Sequence, residues 1–150
     1  AAARKITACS KNSLTLRSPY RAAVRWAAEQ VGLLSYIQSL PDGFDTPVLA
    51  EGKAFPRSVA RKVKLARAIV TKPKLLILEE FMHNLERSER LHIANLVTNK
   101  EFPWTVVGVS NDAEFAKRCD KVLILKDGKL MDSGTFDEIS KKSYFNELFI

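Results

Sequence analysis

Short runs of apolar residues alternate with longer amphipathic stretches in the second half of the chain. The four residues Leu75–Leu78 are all aliphatic, "TVVGVS" occupies Thr105–Ser110, and "VLILK" begins a third run at Val122. Runs of this length, apolar on successive positions, predict strands that are covered on both faces. A helical pattern separates the first two runs, with apolar residues at Leu91, Ile93, Leu96 and Val97. The order strand, helix, strand, helix, strand predicts an α/β fold with a mostly parallel sheet and flanking helices.

The first half of the chain has a helical pattern instead. Tyr20–Leu40 is rich in alanine and is interrupted at Gly32, and "LPDGFDT" (Leu40–Thr46) predicts a turn in which Gly43 takes a positive φ. A second helix is predicted over Ser58–Thr71, before Pro73. We therefore expect a helical region over about residues 1–72 and an α/β region over about residues 73–150. The apolar stripe predicted for the second helix consists of Val59, Val63, Ala66 and Val70.

Two local motifs predict structure near the carboxyl end. Asp127-Gly128 follows the third apolar run and suits a two-residue hairpin turn. Thr135 and Glu138 stand three residues apart, which is the pattern of a capping box that starts a helix.

Charge narrows the choice of partners only slightly. The chain has 150 residues and a net charge of +7, and eight Lys or Arg with no acid lie between Lys53 and Leu78. This stretch is either a solvated helix face or a surface that meets phosphates, lipid headgroups or an acidic partner. No aromatic residue lies between Arg57 and Leu78, which argues against base stacking. We do not expect a nucleic-acid partner.

Few features of the sequence indicate the cellular compartment of the protein. No apolar stretch approaches 18 residues, so no membrane span is expected, and no secretion leader is recognised. Cys9 and Cys119 lie far apart without metal-ligand spacing, which fits a reducing compartment.

Two adjacent carboxylates end the first predicted strand. In parallel α/β sheets, ligands gather at the carboxyl ends of strands, where Glu79 and Glu80 are expected to lie. Such a pair can hold Mg²⁺ with one carboxylate and orient an attacking water with the other. Alternatively, the two acids simply begin a surface loop.

Four segments, taken in order, carry a family resemblance. "LPDGFDT", "LARAIVTKPKLLILEE", "TVVGVSND" and "CDKVLILKDGKLMDSGTFDEI" together resemble the nucleotide-binding domain of ATP-binding cassette (ABC) transporters, and most of all the exporter type. The resemblance covers about residues 22–149. It implies ATP and Mg²⁺ as ligands, a second nucleotide-binding domain and a transmembrane domain as partners, and a position on the cytoplasmic face of the cell membrane.

The resemblance assigns roles to five residues. Glu79 takes the position of the Walker B aspartate on the Mg²⁺ side, and Glu80 that of the catalytic glutamate. Asn111 takes the position of the switch histidine, which contacts the γ-phosphate. Arg57 and Ser58 lie in "FPRSV", where the family has its LSGGQ signature and contacts the ATP of the partner domain.

The chain departs from the family at several of these positions. Both signature glycines are absent, and an asparagine cannot carry the charge of a histidine. His83 and His92 do not match the switch position and are expected to face solvent. The family's loop glutamine falls at Thr7 and the acid before its signature at Ala50. The resemblance thus implies a degenerate signature.

The phosphate-binding loop of the family is also missing. No G-x-x-x-x-G-K-[ST] occurs in the sequence, and in the family this motif lies upstream of the matched segments. The resemblance therefore implies the carboxyl-terminal part of a nucleotide-binding domain, whose N-terminal part is missing. We expect the 150-residue chain alone to bind ATP weakly.

Three functions remain open from the sequence. The first is an exporter domain that couples ATP binding and hydrolysis to transport, with Ala22–Leu40 facing the membrane domain. The second is a non-hydrolytic regulatory or structural partner, which the altered signature and Asn111 favour and the Glu79-Glu80 pair opposes. The third, an ABC ATPase acting on nucleic acid or the ribosome, is disfavoured by the exporter-like "LPDGFDT" and "GTFDEI" segments.

Overall fold

A computed structural model describes residues 19–47 and 55–149 of the chain. The chain divides after Pro73 into two compact units. Within the described ranges, no helix is long and apolar enough to cross a membrane.

The first unit is helical in its described part. Gly32 has a φ of +68° and separates the first two helices, and Gly43 has a φ of +50° at the start of a short 3₁₀ helix. The predicted break at Gly32 and the positive φ at Gly43 are therefore confirmed. The helices are α1 (Pro19–Gln30), α2 (Leu34–Ser39), the 3₁₀ helix Gly43–Asp45 and α3 (Arg57–Ile69).

The buried face of α3 differs from the predicted stripe. Of the four predicted residues only Val59 is buried, while Leu65 and Ile69 fill the rest of the buried face. Leu65 and Ile69 each bring more apolar area than the small Ala66, so the helix turns these two larger side chains inward. The remaining three stripe residues, Val63, Ala66 and Val70, are half-buried.

The second unit contains four strands in two separate pairs. β1 runs parallel to β2, with Leu75 opposite Thr105 and Glu79 opposite Val109, and β3 pairs antiparallel with β4. The α/β class is confirmed, but the described strands form one parallel and one antiparallel pair rather than a mostly parallel sheet. The elements are β1 (Leu75–Glu79), α4 (Arg87–Val97), β2 (Thr105–Val109), α5 (Ala113–Ala116), β3 (Val122–Lys126), β4 (Lys129–Gly134), α6 (Phe136–Ile139) and α7 (Phe145–Leu148).

The parallel pair is covered on one face. Leu76 and Leu78 of β1 are buried, whereas Ile77 of the same strand is 69% exposed and Val109 of β2 is 63% exposed. The prediction that the apolar strands are covered on both faces is therefore wrong for the residues that the structure describes. Leu75 and Val107 are exposed together with these two side chains.

The two local motifs fold as predicted. Asp127 and Gly128 both have positive φ, +51° and +72°, which is the conformation of a type I′ hairpin turn between β3 and β4. Thr135 and Glu138 form a reciprocal capping box at the start of α6. Its shorter bond runs from the Thr135 backbone N–H to Glu138 Oε2 at 2.7 Å. The tight turn and the cap are encoded by neighbouring residues, so their sequence signal is reliable.

Candidate functional site

The adjacent carboxylates lie where β1 ends. Glu79 is the last residue of β1 and pairs in register with Val109 of β2. The backbone N–H of Glu80 donates to the carbonyl of Val109 at 2.9 Å, which extends the pairing by one residue. Both glutamates are exposed. They therefore stand at the carboxyl edge of two parallel strands, which is the edge where ligands bind in α/β sheets.

The chain turns sharply at Glu80. Its φ is +44°, a value that costs a residue with a Cβ about 1–3 kcal/mol. The N–H of His83 then donates to the Glu80 carbonyl at 3.3 Å, and Asn84 takes a second positive φ of +60°. This turn ends the strand and leads the chain toward α4.

Asn111 follows β2 at the same edge. The register that places Glu79 opposite Val109 puts Asn111 two residues beyond the paired end of β2. Its exposed side chain borders a cleft of about 170 Å³. The other residues that line this cleft are Met82, His83, Asn84, Arg90 and Asp112.

Asp112 fixes the wall of the cleft next to Asn111. It is only 8% exposed, and its Oδ1 accepts the backbone N–H of Phe115 at 2.9 Å, which caps α5. Its Oδ2 lies 3.6 Å from Nε of Arg90 on α4. A buried carboxylate needs such partners, because an unpaired charge in a protein interior is costly. The cap and the ion pair together hold the chain around Asn111 against α4.

The signature-equivalent residues lie in the first unit, at the start of α3. Arg57 is the first residue of the helix and is exposed, and Ser58 is half-buried. Pro56 precedes the helix and offers no side-chain cap, and the first turn contains no acid. Among the described residues the helix thus begins without a capping side chain or an acid and with the cation of Arg57, an arrangement suited to an anion.

Several sequence-predicted positions lie outside the described residues. They are Thr7, Ala50 and Lys53, together with Cys9.

The exposed cations of α3 other than Arg57 are Lys64 and Arg67, and no acidic residue occurs in this helix.

The carboxylate edge fits Mg²⁺ in a limited way. Among residues 19–47 and 55–149, no group of three or more His, Cys, Asp or Glu is placed to hold a metal ion. Mg²⁺, however, is usually bound by one or two carboxylates together with waters and substrate phosphates. Glu79 is exposed and can serve as that single carboxylate, provided that a phosphate supplies further ligands.

Sequence reasoning missed the cleft as a unit. Arg90 on α4 and Asp112 before α5 are far apart along the chain, and the fold brings them to 3.6 Å of each other. Asp112 did carry a local signal, since an aspartate just before a short helix is a favoured N-cap. Arg90 carried none. His83 and His92 are exposed as expected, but His83 also borders the cleft.

Comparisons with known proteins show what this chain is similar to. The chain is 28% identical over 127 residues to the uncharacterized ABC transporter ATP-binding protein YfiC of Bacillus subtilis. It is 29% identical over 106 residues to the ABC multidrug transporter MDR2 of Trichophyton rubrum and 29% identical over 116 residues to the mating factor M secretion protein mam1 of Schizosaccharomyces pombe. The homologues of this chain are ABC transporter proteins. The resemblance found in the sequence is thereby confirmed.

These matches cover most of the chain but little of each relative. They include 84%, 71% and 77% of this chain and 21%, 8% and 8% of YfiC, MDR2 and mam1 respectively. The chain thus spans about a fifth or less of the length of these ABC transporter relatives. No protein-family model matches it.

A solved structure supports the fold. The structure of a bacterial Atm1-family ABC exporter with ATP bound superposes with a TM-score of 0.76 at 24% sequence identity. The match covers 85% of this chain and 23% of the exporter chain. The described α/β arrangement is therefore one that occurs within an ABC exporter.

Proposed function

We propose that the chain is the carboxyl-terminal part of a nucleotide-binding domain in an ABC exporter, where it couples ATP binding and hydrolysis to transport. One observation carries the proposal: Glu79 ends β1 and Glu80 follows it, at the edge from which Asn111 also emerges beyond β2. Carboxylates and an amide at the carboxyl edge of parallel strands suit phosphoryl transfer, which depends on positioning and on charge stabilisation. The homology to ABC transporter proteins supports the same assignment.

Each residue at this edge has a separate part in the proposal. Glu80, at the sharp turn after β1, orients the attacking water and accepts its proton. Glu79 would hold the Mg²⁺ that accompanies ATP. When bound, Mg²⁺ neutralises charge on the β- and γ-phosphates. Asn111 donates its side-chain N–H to a γ-phosphate oxygen.

The start of α3 serves a second nucleotide site in this proposal. Arg57 and Ser58 meet the ATP bound on a partner nucleotide-binding domain, where the cation of Arg57 and the hydroxyl of Ser58 face phosphate. Neither residue reproduces the close backbone approach that the two glycines of the family signature permit. We therefore infer that the signature is degenerate and that the chain completes the ATP site of its partner poorly.

The remaining assignments follow from the same proposal. The whole domain would contain a mostly parallel sheet, to which β1 and β2 contribute, and would lie on the cytoplasmic face of the cell membrane. Residues 1–72 would form part of the helical region and residues 73–150 the Walker B and carboxyl-terminal region. Ala22–Leu40 would face the transmembrane domain.

A second function is favoured by a specific observation. The lost signature glycines and the asparagine at position 111 suit a non-hydrolytic ABC partner that retains the fold for dimerisation or docking. The two candidates differ in ATP hydrolysis by the full-length protein that carries this chain, reconstituted with its membrane part. Glu80→Gln abolishes turnover if the chain hydrolyses ATP. It changes nothing if the domain is a non-hydrolytic partner.

A further inference from the structure

Helix α3 carries a row of exposed positive charges along one side. Its three exposed cations, Arg57, Lys64 and Arg67, are spaced by seven and three residues. Because an α-helix turns by about 100° per residue, these positions fall within an arc of roughly 80°. We call this row of three residues the basic stripe. With a rise of about 1.5 Å per residue, the stripe runs for about 15 Å along the helix.

The apolar residues of α3 lie on its other side. Val59, Leu65 and Ile69 are buried, and their positions around the helix fall roughly opposite the basic stripe. This apolar side is covered within the first unit, where α3 packs against α1. The stripe is therefore a polar surface, and it can recognise a partner through charge and hydrogen bonds.

The charge of the stripe is not balanced within its own helix. Five of the 13 residues of α3 are Lys or Arg, and none is Asp or Glu. Within residues 19–47 and 55–149, Lys64 and Arg67 form no ion pair. These two like charges stand three residues apart, a spacing at which they repel each other and destabilise the helix. An anionic partner would remove this repulsion, whereas a solvated surface ordinarily intersperses both signs of charge.

The spacing of the stripe distinguishes between kinds of anionic partner. Lipid surfaces are recognised by clusters of about four to eight cations or by an apolar helix face, and α3 has three exposed cations and a buried apolar side. Single-stranded nucleic acid stacks its bases on aromatic side chains, which α3 lacks. An acidic helix matches the stripe, because carboxylates three, four or seven residues apart also lie on one side of a helix.

We propose that the basic stripe of α3 docks an acidic α-helix of a protein partner, whose Asp or Glu residues repeat at three- and four-residue spacing. Helices that lie side by side pair their charged rows in this way at the edges of coiled coils. Exposed ion pairs are individually weak, so the docking is reversible and weakens as salt is added. The inference goes beyond the proposed function, because it assigns a protein-docking surface that requires neither ATP binding nor hydrolysis.

The test measures the binding of labelled peptides to the full-length protein by fluorescence anisotropy at low salt. The probe is an alanine-based helix of about 20 residues with glutamates at three- and four-residue spacing, and a second peptide of the same composition has its glutamates distributed around the helix. We expect the wild type to bind the probe several-fold more tightly than the second peptide. Lys64→Glu combined with Arg67→Glu turns two attractions into repulsions and should weaken binding of the probe by about tenfold.

Two controls make the result specific to the stripe. Lys121→Glu combined with Lys129→Glu makes the same change in net charge at two exposed positions of the second unit, and should leave binding of the probe close to that of the wild type. A peptide with lysines in place of the glutamates should bind the Lys64→Glu, Arg67→Glu protein more tightly than the wild type, which a misfolded protein would not do. Lys64→Gln combined with Arg67→Gln removes the charges without placing two acids together, and should weaken binding of the probe by several-fold.

The other possible results contradict the inference. If both glutamate peptides bind equally, or if the variants at Lys64 and Arg67 bind the probe like the wild type, the stripe is an ordinary solvated face. If phosphatidylserine vesicles or duplex DNA bind the wild type more tightly than the probe does, and lose that binding in the same variants, the partner is not an acidic helix. The inference is wrong in each of these cases.

Discussion

The backbone N–H of Glu80 donates to the carbonyl of Val109 across the ends of the two parallel strands, at 2.9 Å. This bond fixes a glutamate at a φ of +44°, in a region that residues with a Cβ rarely adopt. The neighbouring Glu79 remains within the strand. Strain of this kind is concentrated at functional sites, where the surrounding structure maintains it.

Replacing Glu80 by glycine should stabilise the fold while it removes function. Glycine adopts a positive φ without a steric penalty, so Glu80→Gly should raise the free energy of unfolding by about 1 kcal/mol. Glu79→Gly is the matched control and should lower that free energy by about 0.5–1 kcal/mol, since glycine weakens a strand. Urea denaturation of the chain measures both changes. Equal destabilisation by the two substitutions would contradict the idea that Glu80 is strained.

Gly108 is required by a close approach to an aromatic ring. A Cβ at this position of β2 would lie 2.5 Å from Cε1 and 2.6 Å from Cζ of Phe115. Phe115 is 4% exposed and makes an edge-to-face contact with Phe81 at a centroid distance of 5.1 Å, so its ring has little room to move. Gly108→Ala should therefore lower the free energy of unfolding by about 1–3 kcal/mol.

A double-mutant cycle tests the cause of this effect. In a Phe115→Leu background the ring atoms that clash are absent, so Gly108→Ala should cost markedly less than in the wild type. Denaturant unfolding of the wild type, the two single variants and the double variant gives the coupling free energy. Additive costs would show that the ring of Phe115 is not what excludes a side chain at position 108.

Tyr144 and Asp132 couple the stability of the carboxyl-terminal region to pH. The hydroxyl of Tyr144 donates to Asp132 Oδ2 and, with the backbone N–H of Ser133 and the nearby Lys142, lowers the pKa of the Asp132 carboxyl. A lowered folded-state pKa stabilises the fold above the unfolded-state pKa, and this stabilisation is lost as the pH falls through the folded-state value. Tyr144→Phe should therefore destabilise the chain at neutral pH and have a smaller effect in acid.

The same hydrogen bond also makes the stability depend on pH in alkali. The bond to Asp132 raises the pKa of Tyr144 to about 12. This contribution to stability is complete below the ordinary tyrosine pKa of about 10 and disappears as the pH rises through 12. Thermal unfolding of Tyr144→Phe from acidic to alkaline pH measures the loss of this stabilisation at both ends of the range. Tyr20→Phe, at an exposed position of α1, is the control, and an equal and pH-independent loss in both variants would contradict this account.

Local signals in the sequence predicted the elements of this chain better than their assembly. The Asp127-Gly128 turn and the Thr135–Glu138 capping box were correctly predicted because neighbouring residues determine them. The buried face of α3 was not, because the choice of Leu65 and Ile69 over the predicted stripe depends on packing against other elements. The pairing of strands into separate parallel and antiparallel pairs likewise depends on contacts between distant parts of the chain.

The candidate site was also predictable only in the parts that local sequence determines. Glu79 and Glu80 were recognisable as carboxylates that follow an apolar strand, and Asn111 as a polar residue beyond the next strand; their chemical roles remain predictions. The cleft itself was not predictable, because it arises when α4 brings Arg90 against Asp112. Ion pairs between residues on different elements leave no periodic pattern in the sequence.

The most direct test of the account is to identify the nucleotide bound by two neighbouring variants. Full-length Glu80→Gln and Glu79→Gln are incubated with MgATP, washed, and the retained nucleotide is analysed. If the two carboxylates divide the work as proposed, Glu80→Gln retains ATP that it does not hydrolyse, and Glu79→Gln loses Mg²⁺-dependent retention. If both variants hydrolyse ATP and retain nucleotide like the wild type, the carboxylate edge of β1 is not the phosphoryl-transfer site.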